Sequence, residues 1–88
     1  MIIADTDIVT AFDNLLNKFK SREEVARWAR SIRDAEDASM LEYVPINREF
    51  DIWEAILFLE GVDFKDTPNE YLHNERDIKN AFMKFQKQ

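Results

Sequence analysis

Asp63, Asp66, Glu70 and His73 fall within one stretch, GVDFKDTPNEYLHN (residues 61–74), which also holds the chain's only glycine and only histidine. Carboxylates and an imidazole are the groups that hold metal ions or move protons, so their spacing decides whether either task is open to them. A calcium loop of the EF-hand type places acids two apart around a central glycine and closes on a glutamate, and this stretch does not. Zinc coordination fares no better, because the chain has no Cys, no second His and no H-E-x-x-H. His73 directly precedes the helix cap Asn74 and reads as a hydrogen-bonding loop residue.

Catalytic signatures are equally scarce. Asp51 and Glu54 lie three apart and could share acid–base work, but among 18 acidic residues such pairs arise by chance. One glycine cannot build a phosphate-cradling loop, and the lone His73 has no nucleophile signature around any Ser. A chain of 88 residues also has little volume to enclose a drug-sized pocket of about 300 Å³ without giving up core. The residues therefore predict a non-catalytic protein with no cofactor and no metal.

What remains is recognition. Glu54, Glu60, Asp63, Asp66, Glu70 and Tyr71 are expected to form a continuous partner-binding surface where a helix meets the long loop. Acids with a Tyr among them suit an Arg- or Lys-rich protein surface, since Tyr adds apolar area and a hydroxyl. The charge layout supports this expectation: residues 1–48 carry a net −2, residues 49–77 carry −7, and residues 78–88 carry +3. Such a middle segment repels phosphates, so nucleic acid is excluded as a partner and a basic protein is expected.

The elements that must present these residues are helices. Ile8, Phe12, Leu15, Leu16 and Phe19 recur at helical spacing, and Asp5, Thr6 and Asp7 supply capping oxygens, predicting a helix over about 6–19. Ser21-x-x-Glu24 is a capping box that starts a second helix, with Val25, Trp28, Ala29 and Ile32 as its buried stripe. Its outer face offers Glu23 to Arg27, Arg30 to Asp34, and Arg33 to Asp37, each four apart. Pro45 biases Val44 towards extended geometry, so residues 38–46 read as an irregular apolar connector with one short helical turn near Met40. Met40, Leu41, Tyr43, Val44 and Ile46 are expected to cover one end of the core.

A third helix is predicted from a cap at Asn47 to Glu60, with Gly61 ending it in the left-handed conformation. It is apolar around most of its circumference and should be the central helix. A fourth begins after the cap Asn74 and buries Ile78, Ala81, Phe82 and Phe85, while Lys79, Lys84 and Lys87 suit its dipole. The loop between them is long for a helix connection and needs Val62, Phe64, Tyr71 and Leu72 as anchors. No segment alternates as a strand with hairpin turn chemistry. The expected fold is all-α: one compact bundle of four main helices over residues 1–88, with room for a short fifth, and a long ordered loop before the last helix.

Apolar residues make up 45% of the chain, enough for a folded core. No apolar run approaches a membrane span, and the first residues lack the basic start and apolar run of a secretory signal. A cytoplasmic protein with no membrane partner is the expectation, and the absence of Cys fits a reducing compartment.

The chain also resembles a group of small uncharacterised bacterial proteins. They share S/T-R-E-E-x-x-x-W-A, then W-E-x-x-x-x-L-x-G-x-D, a Pro, and Y-L-H followed by D-I or D-F. Here those positions are Ser21, Arg22, Glu23, Glu24, Trp28 and Ala29, then Trp53, Glu54, Leu59, Gly61, Asp63, Pro68, Tyr71, Leu72, His73, Asp77 and Ile78, spanning about residues 20–82. Some members look like immunity proteins encoded beside bacterial toxins, which implies neutralisation of a basic toxin through the acidic surface. Two rival expectations stand beside it. One is a regulatory or adaptor module that takes a cellular protein in an apolar groove. The other is a self-associating structural protein that buries Phe58, Phe64 and Tyr71 in a homodimer. The oligomeric state is not legible from these residues.

Overall fold

Two short strands that hydrophobic patterning does not signal bracket the first half of the chain. In the computed structural model, which describes residues 1–87, β1 (Ile2–Ala4) pairs in parallel with β2 (Glu42–Val44), Ile3 opposite Tyr43. Strands of three residues are too short to show alternation, so the connector expected over 38–46 proves to be partly sheet. Between them lie α1 (Asp5–Leu16) and α2 (Arg22–Asp37). A 3-10 turn at Ile46–Arg48 follows the cis Val44–Pro45 peptide and leads into α3 (Glu49–Glu60). It supplies the short fifth helix, six residues later than expected. Residues 61–74 form an antiparallel hairpin, β3 (Lys65–Thr67) with β4 (Glu70–Tyr71), before α4 (Glu75–Gln86). The protein is thus a four-helix globule with two small strand pairs and not a purely all-α bundle.

Helix starts follow the sequence closely at α2 and α4, but Asn47, expected to cap α3, lies in the 3-10 turn, and the cap position is Arg48 with no side-chain hydrogen bond. Ser21 Oγ accepts from the Glu24 amide and Glu24 Oε1 accepts from the Ser21 amide, each at 3.1 Å, completing the capping box. Asn74 and Asp77 do the same for α4, at 2.9 and 3.2 Å. At α1 the cap position is Ala4, and only Asp7 contributes, accepting from the Ala4 amide at 2.9 Å.

The end of α1, expected near residue 19, comes at Leu16, whereas α2 and α3 end at Asp37 and Glu60, as the sequence reads. α1 stops at Leu16 because Lys18 takes a left-handed conformation (φ 62°), and α2 stops before Ser39 in the same way (φ 58°). Gly61, by contrast, is not left-handed (φ −97°). Its lack of a side chain matters for space: an added Cβ would lie 3.3 Å from the Phe64 ring.

The core joins all four helices. Ile8, Phe12, Ile52, Ile56, Leu59 and Val62 are fully buried, each stabilising the fold by about 1.5–3 kcal/mol through removal from water. Tyr43 is the one connector residue that enters it fully; Met40, Val44 and Ile46 stay exposed. Phe12 stacks on Phe82 at 5.0 Å between centroids, binding α1 to α4. α3 is central, yet Phe50 and Leu57 reach solvent, so its apolar circumference is not wholly covered.

Candidate functional site

The predicted acidic surface does not present its charges as a unit. Arg33 of α2 donates to Glu60 at 2.7 Å, and Arg30 donates to both oxygens of Asp63 at 3.0 and 3.1 Å. These cross-element pairs replace the within-helix Arg30–Asp34 and Arg33–Asp37 pairs expected from spacing. The hydrogen bond to Glu60 first, then its charge, raises the Arg33 pKa above its usual value. Tyr71 donates its hydroxyl to Glu23 at 2.9 Å, and that bond, followed by burial, pushes its pKa up. Glu54 is exposed on α3 beside the α3–α4 groove, while Asp66 and Glu70 stand exposed on the hairpin. Asp63 and Glu60 therefore face arginines of α2, Tyr71 faces Glu23, and only Glu54, Asp66 and Glu70 are left to solvent.

His73 packs on Phe58 with centroids 4.8 Å apart, and its Nδ1 lies 3.6 Å from Asp77. Among the described residues, no three acidic or imidazole groups converge as a metal ion would require.

The contrasting surface is α4. Its buried side carries Ile78 and Phe85. At about 100° per residue, Arg76, Lys79, Asn80, Met83 and Lys87 fall opposite within an arc of roughly 100°, with Lys84 one step beyond. All six are exposed. Arg76 to Lys87 spans about 16 Å along the axis. From residue 78 onward the sequence has no acid, so the acids of this helix, Glu75 and Asp77, are confined to its first turn.

Three anchors hold that face in place. The Asn74–Asp77 box fixes the start of α4, the Phe12–Phe82 stack fixes its middle, and Arg48 fixes its end. The Arg48 Nη2 donates to the Phe85 carbonyl at 2.6 Å, and its guanidinium lies 4.3 Å from the Phe85 ring centroid. Asp5 and Asp51, each 3.7 Å away, balance its charge. The sequence signal for this face is the +3 charge of residues 78–88, which helix-dipole complementarity alone also explains.

The chain matches the family model described as YxzC DNA-binding protein over residues 3–85. It is 28% identical over 79 residues to a Bacillus subtilis (strain 168) protein named "Uncharacterized protein YxzC", an alignment covering 86% of this chain and 59% of that protein. The chain thus spans about three-fifths of that relative's length. No solved structure matches it. The family description names DNA, which overturns the expectation that nucleic acid is excluded and that the partner is a basic protein or toxin. It equally displaces the immunity, adaptor and self-association readings. Their physical error was to let the −7 of residues 49–77 decide for the whole molecule, although residues 78–88 carry +3. Two of the acids counted in it are held by α2 arginines, and the bases of α4 share one exposed side. Matched from residue 3 to residue 85, this chain belongs to the YxzC DNA-binding protein family.

Proposed function

We propose that this chain binds DNA through the outward face of α4. Lys79, Lys84 and Lys87 with Arg76 neutralise phosphates, and release of condensed counterions supplies the affinity. A single helix fits the major groove, about 12 Å wide. Asn80 stands among the bases of this stripe, and an Asn side chain can pair two-pronged with an adenine edge, whereas the lysines position the helix on the backbone. The single observation that carries this reading is an exposed basic stripe, free of acids from residue 78 onward although Lys79 lies 3.7 Å from Glu75, on a helix anchored at its start, middle and end, in a chain whose family is described as DNA-binding. No catalytic step is part of this reading.

Fluorescence anisotropy with a labelled 20-base-pair duplex tests it. Wild-type protein should bind at 50 mM salt, and Lys79→Gln with Lys87→Gln should weaken binding while leaving the thermal melt in place. Absence of binding at low salt, or equal affinity in that variant, would sink the proposal.

A further inference from the structure

Phe19 is the most exposed large apolar residue of the protein, at 77%, although the helical spacing of the sequence assigns it to the core. The end of α1 explains why. Asn17 caps the helix, Lys18 is left-handed, the Lys18 amide donates to the Leu15 carbonyl, and the Phe19 amide donates to the Asn14 carbonyl at 2.9 Å. This is the Schellman arrangement, in which the residue after the left-handed position ordinarily packs on an apolar side chain one turn back. Here that earlier residue is Asn14, so Phe19 has no apolar seat and projects outward. Its neighbours on both sides are lysines, Lys18 and Lys20, and neither has an acidic group within 4 Å among the described residues.

Beside Phe19 lies an open depression of about 490 Å³, with Leu15, Leu16, Arg22, Tyr71 and Ile78 among its lining residues. Three acids also line it, and each is engaged. Glu23 accepts from the Tyr71 hydroxyl, Glu24 accepts from the Ser21 amide, and Glu75 lies 3.7 Å from Lys79. The depression ends at the first turns of α4, so it adjoins the start of the basic stripe.

An exposed aromatic ring with an exposed lysine on each side of it in the chain matches the chemistry of a nucleotide strand, in which flat bases alternate with phosphates. Duplex DNA keeps its bases stacked on each other and offers no free face to such a ring. We propose that the Lys18-Phe19-Lys20 turn is a stacking site for an unpaired DNA base, so that the DNA taken by this chain includes a single-stranded or locally opened stretch. Phe19 stacks on the base, and Lys18 and Lys20 meet the flanking phosphates. The inference rests on the reading of the chain as a DNA-binding protein and adds the form of the DNA.

The test compares wild type, Phe19→Ala and Phe19→Tyr by anisotropy, using a labelled 15-nucleotide oligothymidylate and a labelled 20-base-pair duplex at 50 mM salt. Phe19→Ala should weaken oligothymidylate binding roughly 5- to 150-fold, the range that loss of one stacked base produces. Phe19→Tyr, which keeps the ring, should restore it, and duplex affinity should not change. Because Phe19 is exposed, thermal melts of the three proteins should coincide. Wild type that binds duplex but not the oligothymidylate overturns the inference and leaves the α4 reading standing. The stacking site is equally overturned if Phe19→Ala binds the oligothymidylate as wild type does, or loses both DNA forms alike. Wild type that binds neither DNA overturns both.

Discussion

The Arg22 guanidinium lies 4.2 Å from the centroid of the Tyr71 ring, while its Nη1 donates to the carbonyls of Val62 and His73. One side chain at the start of α2 thereby closes both ends of the 61–74 segment, which would otherwise be a long connection with few apolar anchors. Phe64 and Leu72 are half exposed, so the hairpin depends on this cation more than on burial.

Arg22→Met keeps much of the side-chain volume and removes the donors. Hydrogen bonds from a charged group contribute about 1.5–3 kcal/mol, so urea denaturation should show a loss of about 2 kcal/mol. Amide exchange at Leu72, whose N–H donates to the Phe64 carbonyl at 2.8 Å, should accelerate beyond the global change. Unchanged stability and exchange would refute the role.

Gly61→Ala separates two accounts of the only glycine. A left-handed position would lose about 1–2 kcal/mol with any side chain. At φ −97° the backbone accepts alanine, and the obstacle is the Phe64 ring 3.3 Å from the new Cβ. Phe64 is half exposed and can give way, so the midpoint of denaturation should shift by less than about 1 kcal/mol equivalent. A larger loss would return Gly61 to the left-handed account.

Tyr43 should report alkaline stability. Burial, then its 3.1 Å hydrogen bond to Glu36, holds its phenol well above the ordinary 10.0. A raised folded pKa means the stabilisation is complete below pH 10 and is lost as pH climbs from there towards the folded value. Tyr43→Phe should lower stability by about 1 kcal/mol at pH 7 through loss of the hydrogen bond. Above pH 10 the variant should fall less steeply than wild type. Parallel curves in denaturation experiments from pH 7 to 11 would contradict this.

Salt should act on DNA binding in proportion to the number of α4 bases engaged. Each neutralised duplex phosphate contributes about −0.9 to the slope of log affinity against log salt. Contacts from Arg76, Lys79, Lys84 and Lys87 give a slope of about −3.6, and Lys84→Gln with Lys87→Gln should reduce it by about 1.8. A slope unchanged by that pair would remove the end of α4 from the interface.

Legibility in the sequence follows the nature of each signal. Ser21 with Glu24 and Asn74 with Asp77 are local hydrogen-bond pairs, and local chemistry specifies both helix starts. The end of α1 is hidden because Lys18, not a glycine, takes the left-handed position; helical spacing consequently assigns Phe19 to the wrong environment. β1 and β2 are hidden because their pairing joins residues 40 apart and each strand is three residues long. The arginine partners are tertiary choices: Arg30 and Arg33 have acids four residues away on their own helix and take Asp63 and Glu60 across the interface. For the site, charge counted along segments isolates the basic end of the chain but does not distinguish a binding face from dipole complementarity. Only the folded helix puts Arg76, Lys79 and Lys87 on one side.

Four guanidinium groups and four ammonium groups have separate duties in this molecule. Arg22, Arg30, Arg33 and Arg48 clamp carbonyls, rings and carboxylates within the fold, work suited to a planar fork of donors, while Lys18, Lys20, Lys84 and Lys87 point into solvent. A reagent or enzyme that acylates amines would therefore strip the charge of these lysines, leave Arg76 as the cation of the α4 face, and keep the architecture intact.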